Sequence, residues 1–145
     1  MLNYNMVDEN MQEVLYQAQN MFCLNHGMSP MIFMRLKDNP ALVIEDVNMD
    51  TPEDTMESCK KYKDMIESGK LVEYIFMIET QKSFDDWCLV VMKCSQKSEM
   101  QYVCDIWIED GDYKFSEWSF FDHSKLWAKK DSVNNLFGQV FCKFN

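Results

Sequence analysis

The sequence predicts an α+β domain in which an antiparallel sheet, a four-strand meander plus an N-terminal β-hairpin, packs against helices in the order α-β-β-α-β-β-β-β-α. Three observations carry that expectation. Residues 101–121 alternate apolar and polar side chains on both sides of Asp110-Gly111, a dipeptide well suited to the positive φ angles of a tight two-residue turn. Residues 8–25 and 133–144 instead repeat their apolar residues at spacings of three and four, the period of a helix. Residues 87–92 are nearly continuous in apolar side chains, as expected of a central strand covered on both faces.

In chain order, Met11, Val14, Leu15, Ala18, Met21 and Phe22 form the inward stripe of the first helix. Asn5 or Asp8 can cap its start and Gly27 its end. His26 falls at that C-terminal end, where it suits the helix dipole and the last carbonyls, so its position asks for no ligand role. Two short apolar runs, 31–36 and 41–45, flank the turn formers Asp38, Asn39 and Pro40 and predict the first hairpin. Pro40 cannot donate to a ladder and marks the start of the second strand.

The second helix has both ends written into it. Thr51 is the N-cap, Pro52 the first helical residue, Glu53 and Asp54 lie in the first turn, and Ser68 and Gly69 close it. Met56, Cys59, Tyr62, Met65 and Ile66 are its expected buried stripe. Strands follow over 71–79 and 87–92, joined through Asp85 and Asp86, and a loop at 95–99 leads into the hairpin. Nothing in the sequence fixes the register between 87–94 and 101–109. Residues 122–130 read as a capped turn or short helix holding Leu126 and Trp127. Val133, Leu136, Phe137, Val140, Phe141 and Phe144 give a final helix despite Gly138.

A regular hairpin places Ile108 opposite Tyr113, Ile106 opposite Phe115 and Tyr102 opposite Ser119 on one face. The other face pairs Trp107 with Lys114 and Val103 with Trp118, so Trp107 and Trp118 share the more polar side and are expected to be exposed as interface anchors. Most other aromatics belong in the core.

At 145 residues, 1–145 fits one domain, which removes about 70% of the unfolded chain's surface from water. No low-complexity tract, repeat or Gly/Pro-rich linker interrupts it. The first ten residues are polar and acidic where a secretory signal needs a basic start and an apolar run, and no run approaches a membrane span, so a cytoplasmic protein is expected. The six cysteines, at 23, 59, 88, 94, 104 and 142, contain no Cys-x-x-Cys pair and read as free thiols in a reducing compartment. One Arg and three Ala beside thirteen Lys and thirteen Met imply AT-rich coding, compatible with a viral or mobile-element origin.

Charge is uneven along the chain. Residues 1–59 hold ten acidic side chains against Arg35 and Lys37, a balance of −8, whereas residues 60–145 hold fourteen against twelve, a balance of −2. The densest stretch is Glu45, Asp46, Asp50, Glu53, Asp54 and Glu57, with no Lys or Arg between Lys37 and Lys60. Helix-dipole chemistry accounts for part of this cluster. Such a field repels free nucleic acid and anionic membrane and attracts basic surfaces.

No phosphate loop, nucleophile elbow, His-Glu-x-x-His pair or calcium loop is present, and two His, His26 and His123, are too few for an ordinary zinc site. Asp105 and Glu117 point to opposite faces of a regular hairpin. Glu79, Asp85, Asp86, Asp122 and His123 lie near strand ends or loops, where acid-base or metal chemistry needs a convergence that their spacing does not supply. The expectation is a non-catalytic interaction protein without metal or cofactor. It would bind a protein with a basic surface through Glu45, Asp46, Asp50, Glu53, Asp54, Glu57, Trp107 and Trp118, in the manner of a virus- or mobile-element-encoded inhibitor of a host defence protein. The alternative is a small-molecule binder that sequesters a nucleotide or signalling metabolite, with Arg35, Lys93 and Lys114 as its strand-borne basic contacts.

Overall fold

Asp110 (φ 53°) and Gly111 (φ 82°) both adopt left-handed backbone angles and join β5 (Glu99–Glu109) to β6 (Asp112–Phe115). Ile108 faces Tyr113, Trp107 faces Lys114 and Ile106 faces Phe115, as the sequence requires. Beyond Phe115 the register slips by one residue. The Ser116 N–H donates to the Asp105 carbonyl at 3.0 Å, and the Asp105 N–H donates to the Ser116 hydroxyl at 2.8 Å. Pairing then resumes with Val103 opposite Ser119 and Tyr102 opposite Phe120, in β7 (Ser119–Asp122). Ser116 and Glu117 thus oppose Asp105 alone, which is a β-bulge.

The bulge overturns one expectation. Phe115 and Trp118 are three apart, so a regular strand would turn them to opposite faces. The extra residue lets both face the core, and Trp118 is 0% exposed instead of sharing the outer face with Trp107.

This computed structural model describes residues 9–83, 86–95 and 99–122. Of the turn or short helix expected at 122–130 only Asp122 is described, as the last residue of a strand; the rest of it and the helix expected at 133–144, with Asp85, His123 and Cys142, lie outside them. The described residues form two helices and an open seven-stranded antiparallel sheet. Its remaining strands are β1 (Met31–Leu36), β2 (Leu42–Asp46), β3 (Leu71–Ser83) and β4 (Asp86–Ser95), in the order β2-β1-β3-β4-β5-β6, with β7 also on β5. The meander is present, its last arm divided by the bulge, and the N-terminal hairpin joins it where β1 pairs antiparallel with β3. Trp87 opposite Ile106 and Lys93 opposite Met100 set the register between β4 and β5. Cys88 to Met92 are all buried, so β4 is covered on both faces.

One helix covers each face. α1 (Glu9–Asn25) buries Met11, Leu15, Ala18 and Phe22 against Met77, Leu89, Val91, Tyr102 and Trp118. The Phe22 ring meets Tyr113 edge-on at 4.9 Å. His26 (φ 54°) makes the left-handed exit, and the Gly27 N–H donates to the Phe22 carbonyl at 3.1 Å. α2 (Pro52–Glu67) starts as its sequence says, with the Thr51 hydroxyl accepting from the Asp54 N–H at 3.1 Å. It lays Tyr62 on the opposite face with Ile32, Met34, Phe76 and Val90. Its stripe is narrower than its periodicity suggests: Met65, Ile66 and Cys59 are half-buried, and Met56 is 72% exposed. At about 100° per residue Met56 sits about 120° around the helix from Tyr62, and the inward side of the first turns belongs to the half-buried Thr55 and Ser58. Among the described residues no helix is long and apolar enough to cross a membrane.

Candidate functional site: an acidic corner at the β2 edge

The six clustered carboxylates fall on one continuous path, from the end of β2 through the connection into the first turns of α2. They are not equivalent. Glu45 Oε1 accepts from Lys61 Nζ at 2.8 Å and from the Tyr62 hydroxyl at 2.9 Å, tying β2 to α2. The Lys61 hydrogen bond, assisted by Tyr62, holds the Glu45 carboxyl below its ordinary range. Burial, with the hydrogen bond to Glu45, pushes the Tyr62 phenol up. Glu45 is thus committed to the fold, which removes it from the carboxylates a partner could meet unpaired. Asp54 is half-buried in the first turn of α2, where its charge favours the helix N-terminus.

Asp46, Asp50, Glu53 and Glu57 are exposed, and among the described residues none of them has an ion-pair partner. The connection between β2 and α2, which carries Asp50, is anchored. Val47 is buried, the Asn48 side chain accepts from the Asp50 N–H at 3.2 Å, and the Ser58 hydroxyl donates to the Asn48 carbonyl at 2.8 Å.

A groove of about 410 Å³ opens beside Asp46, lined by Met21, Asn25, Met28, Met31, Asp46 and Glu79 among others. Glu79 Oε1 accepts from the Met28 N–H at 2.9 Å. Gly27 makes room for that carboxylate, because a Cβ there would lie 2.9 Å from the same oxygen. The groove therefore carries two carboxylates and three methionines, a lining suited to a cation with an apolar stem. Sequence separation hides the convergence of Asp46 with Glu79; it arises because β1 brings β2 alongside β3.

The chain matches no protein-family model, no curated protein and no solved structure.

What the corner can do follows from its own side chains. Of the two tryptophans expected as anchors, Trp107 is 45% exposed and Trp118 is fully buried. Trp107 stands on β5, four strands from β2 and about 19 Å across the sheet at the usual strand spacing, so it does not extend the acidic corner. Arg35 and Lys93 converge on Glu73, at 3.3 Å and 3.7 Å, and so are held by a carboxylate instead of lining a site for an anion. Lys114 is exposed opposite Trp107. Among the described residues no group of three His, Cys, Asp or Glu side chains is placed to hold a metal ion. Cys23, Cys59, Cys88, Cys94 and Cys104 are free thiols, and burial pushes Cys104 up to about 12, far from the thiolate a nucleophile needs.

Proposed function

We propose that this chain is a non-catalytic interaction protein that binds a basic, nucleic-acid-binding protein surface through the corner formed by Asp46, Asp50, Glu53 and Glu57. Four exposed carboxylates with no ion-pair partner among the described residues, ranged along the end of β2, its anchored connection and the first turns of α2, support the reading. Their summed potential steers a basic surface toward the corner and opposes free nucleic acid. The composition fits a virus- or mobile-element-encoded inhibitor acting on a defence protein in the host cytoplasm.

Reversing Asp46, Asp50, Glu53 and Glu57 together to Lys tests this without touching the Glu45–Lys61–Tyr62 tie. Affinity capture at low and high salt should recover a basic partner with the wild-type protein, lose it steeply as salt rises, and lose it altogether in the reversed variant. Capture that survives reversal with its salt dependence unchanged refutes the electrostatic account. The groove favours a second reading, sequestration of a small molecule, for which its carboxylates select a cationic metabolite over a nucleotide. A ligand of that kind raises the melting temperature by mass action, whereas a pure protein binder is indifferent to a metabolite panel.

A further inference from the structure

The outer rim of β2 is a second feature of the same corner. Among the described residues β2 pairs only with β1, which leaves one side of its backbone without a strand. The Val47 N–H donates to the Pro30 carbonyl at 2.9 Å, which makes these two a hydrogen-bonded pair. Antiparallel alternation then turns the backbone groups of Val43 and Glu45 toward β1 and those of Leu42, Ile44 and Asp46 outward. The same three residues point their side chains to the α1 face. There Leu42 is 57% and Ile44 56% exposed, and Asp46 stands at the mouth of the groove it shares with Glu79. Backbone donors and acceptors, two bare aliphatic side chains and a carboxylate therefore recur at every second residue along one free edge.

We propose that β2 accepts an extended segment of the partner as an additional antiparallel strand, with the pattern basic-x-apolar-x-apolar from its N- to its C-terminus. The inference rests on the reading of the corner as a surface for a basic protein, and it specifies how that protein is held. Antiparallel pairing sets the basic residue opposite Asp46, where a Lys or Arg stem lies along Met31 at the groove mouth and its charge meets the carboxylate. The apolar residues then fall opposite Ile44 and Leu42. Charge selects this occupant over a second copy of the chain. A β2–β2 pairing would bring two copies of the same acidic corner together, each from a chain of net charge −10.

The test uses the whole chain and an acetylated peptide, Lys-Thr-Lys-Thr-Val-Thr-Val, with a counterpart carrying glutamate for lysine. Affinity is measured at low and high salt, and amide hydrogen exchange is followed residue by residue. The lysine peptide should slow exchange at Leu42, Ile44 and Asp46 at least tenfold, and the glutamate peptide should not. Ile44→Pro removes an outward N–H and leaves the β1 ladder intact, so it should abolish binding while the far-UV spectrum is kept. Asp46→Lys, which keeps the backbone, should weaken binding at least tenfold and covers the case in which Ile44→Pro fails to fold. Salt-sensitive binding without slowed exchange in β2, or equal binding by Ile44→Pro, overturns strand addition and leaves the acidic corner standing. No binding at all also overturns it, since the charge-reversal experiment judges the corner separately. Slow exchange at these amides in the free protein overturns it too, pointing to a segment of the same chain outside the described residues if independent of concentration and to a second copy if not.

Discussion

Replacing Trp118 separates the bulged hairpin from a regular one. In a regular hairpin Trp118 and Trp107 share a half-exposed face, and alanine costs about the same at either site. In the structure Trp118 is 0% exposed inside the α1-side core, whereas Trp107 is 45% exposed. A buried indole removes about 150–250 Å² from water, which at about 25 cal/mol/Å² is roughly 4–6 kcal/mol before relaxation. Large-to-small changes at such sites cost about 3–5 kcal/mol. Trp118→Ala should therefore lose about 3–5 kcal/mol, a large share of the roughly 5–15 kcal/mol that holds an ordinary domain together. Trp107→Ala should lose under about 1 kcal/mol. Trp118→Phe should fall between them, near 1–2 kcal/mol, because it keeps a ring and deletes an indole N–H that has no acceptor among the described residues. Urea unfolding followed by far-UV circular dichroism reads all three without relying on the missing indole. Equal losses at the two positions, or a loss at Trp118 below about 1 kcal/mol, refute the bulge and the faces assigned from it.

Deleting Glu117 should be tolerated, with a cost within about 1 kcal/mol, because it straightens the bulge while Phe115 and Trp118 keep their inward faces; a loss of folding in the same urea assay contradicts that geometry. Gly27→Ala should cost about 1–3 kcal/mol, since the new methyl displaces the Glu79 carboxylate and strips the Met28 N–H of its acceptor; an unchanged melting temperature would show that this contact carries no weight. Glu45→Gln should destabilise the wild type at neutral pH and much less in acid. The depressed Glu45 carboxyl contributes stability above its unfolded value near 4.5, which is lost as pH falls through the folded one. A gap between the two proteins that stays constant from about pH 6 to pH 3 argues against the Lys61 tie.

Legibility followed the range of the forces involved. The Asp110-Gly111 turn and the Thr51-Pro52 start of α2 were readable because a few neighbouring residues determine them, and both formed as expected. The bulge at Ser116-Glu117 was not, because it arises from Phe115 and Trp118 competing for one core across strands that sequence alternation treats as independent. Met56 fits the α2 stripe by successive spacings of three, but each step drifts about 60° and leaves it about 120° from Tyr62, on the exposed flank. The acidic cluster was legible as composition. Its division into a structural Glu45, a half-buried Asp54 and four open carboxylates depended on contacts across the fold, above all those of Lys61 and Tyr62 on α2 with Glu45 on β2.

The two helices shelter opposite diagonals of the sheet, α1 toward the β4–β5 end and α2 toward the β1–β3 end, each on its own side. Among the described residues, exposed flanks remain at both margins, one aliphatic and anionic around Ile44, the other indole-bearing around Trp107, and they look in opposite directions. No single flat body can rest on both. A molecule gripping the first would leave the second untouched.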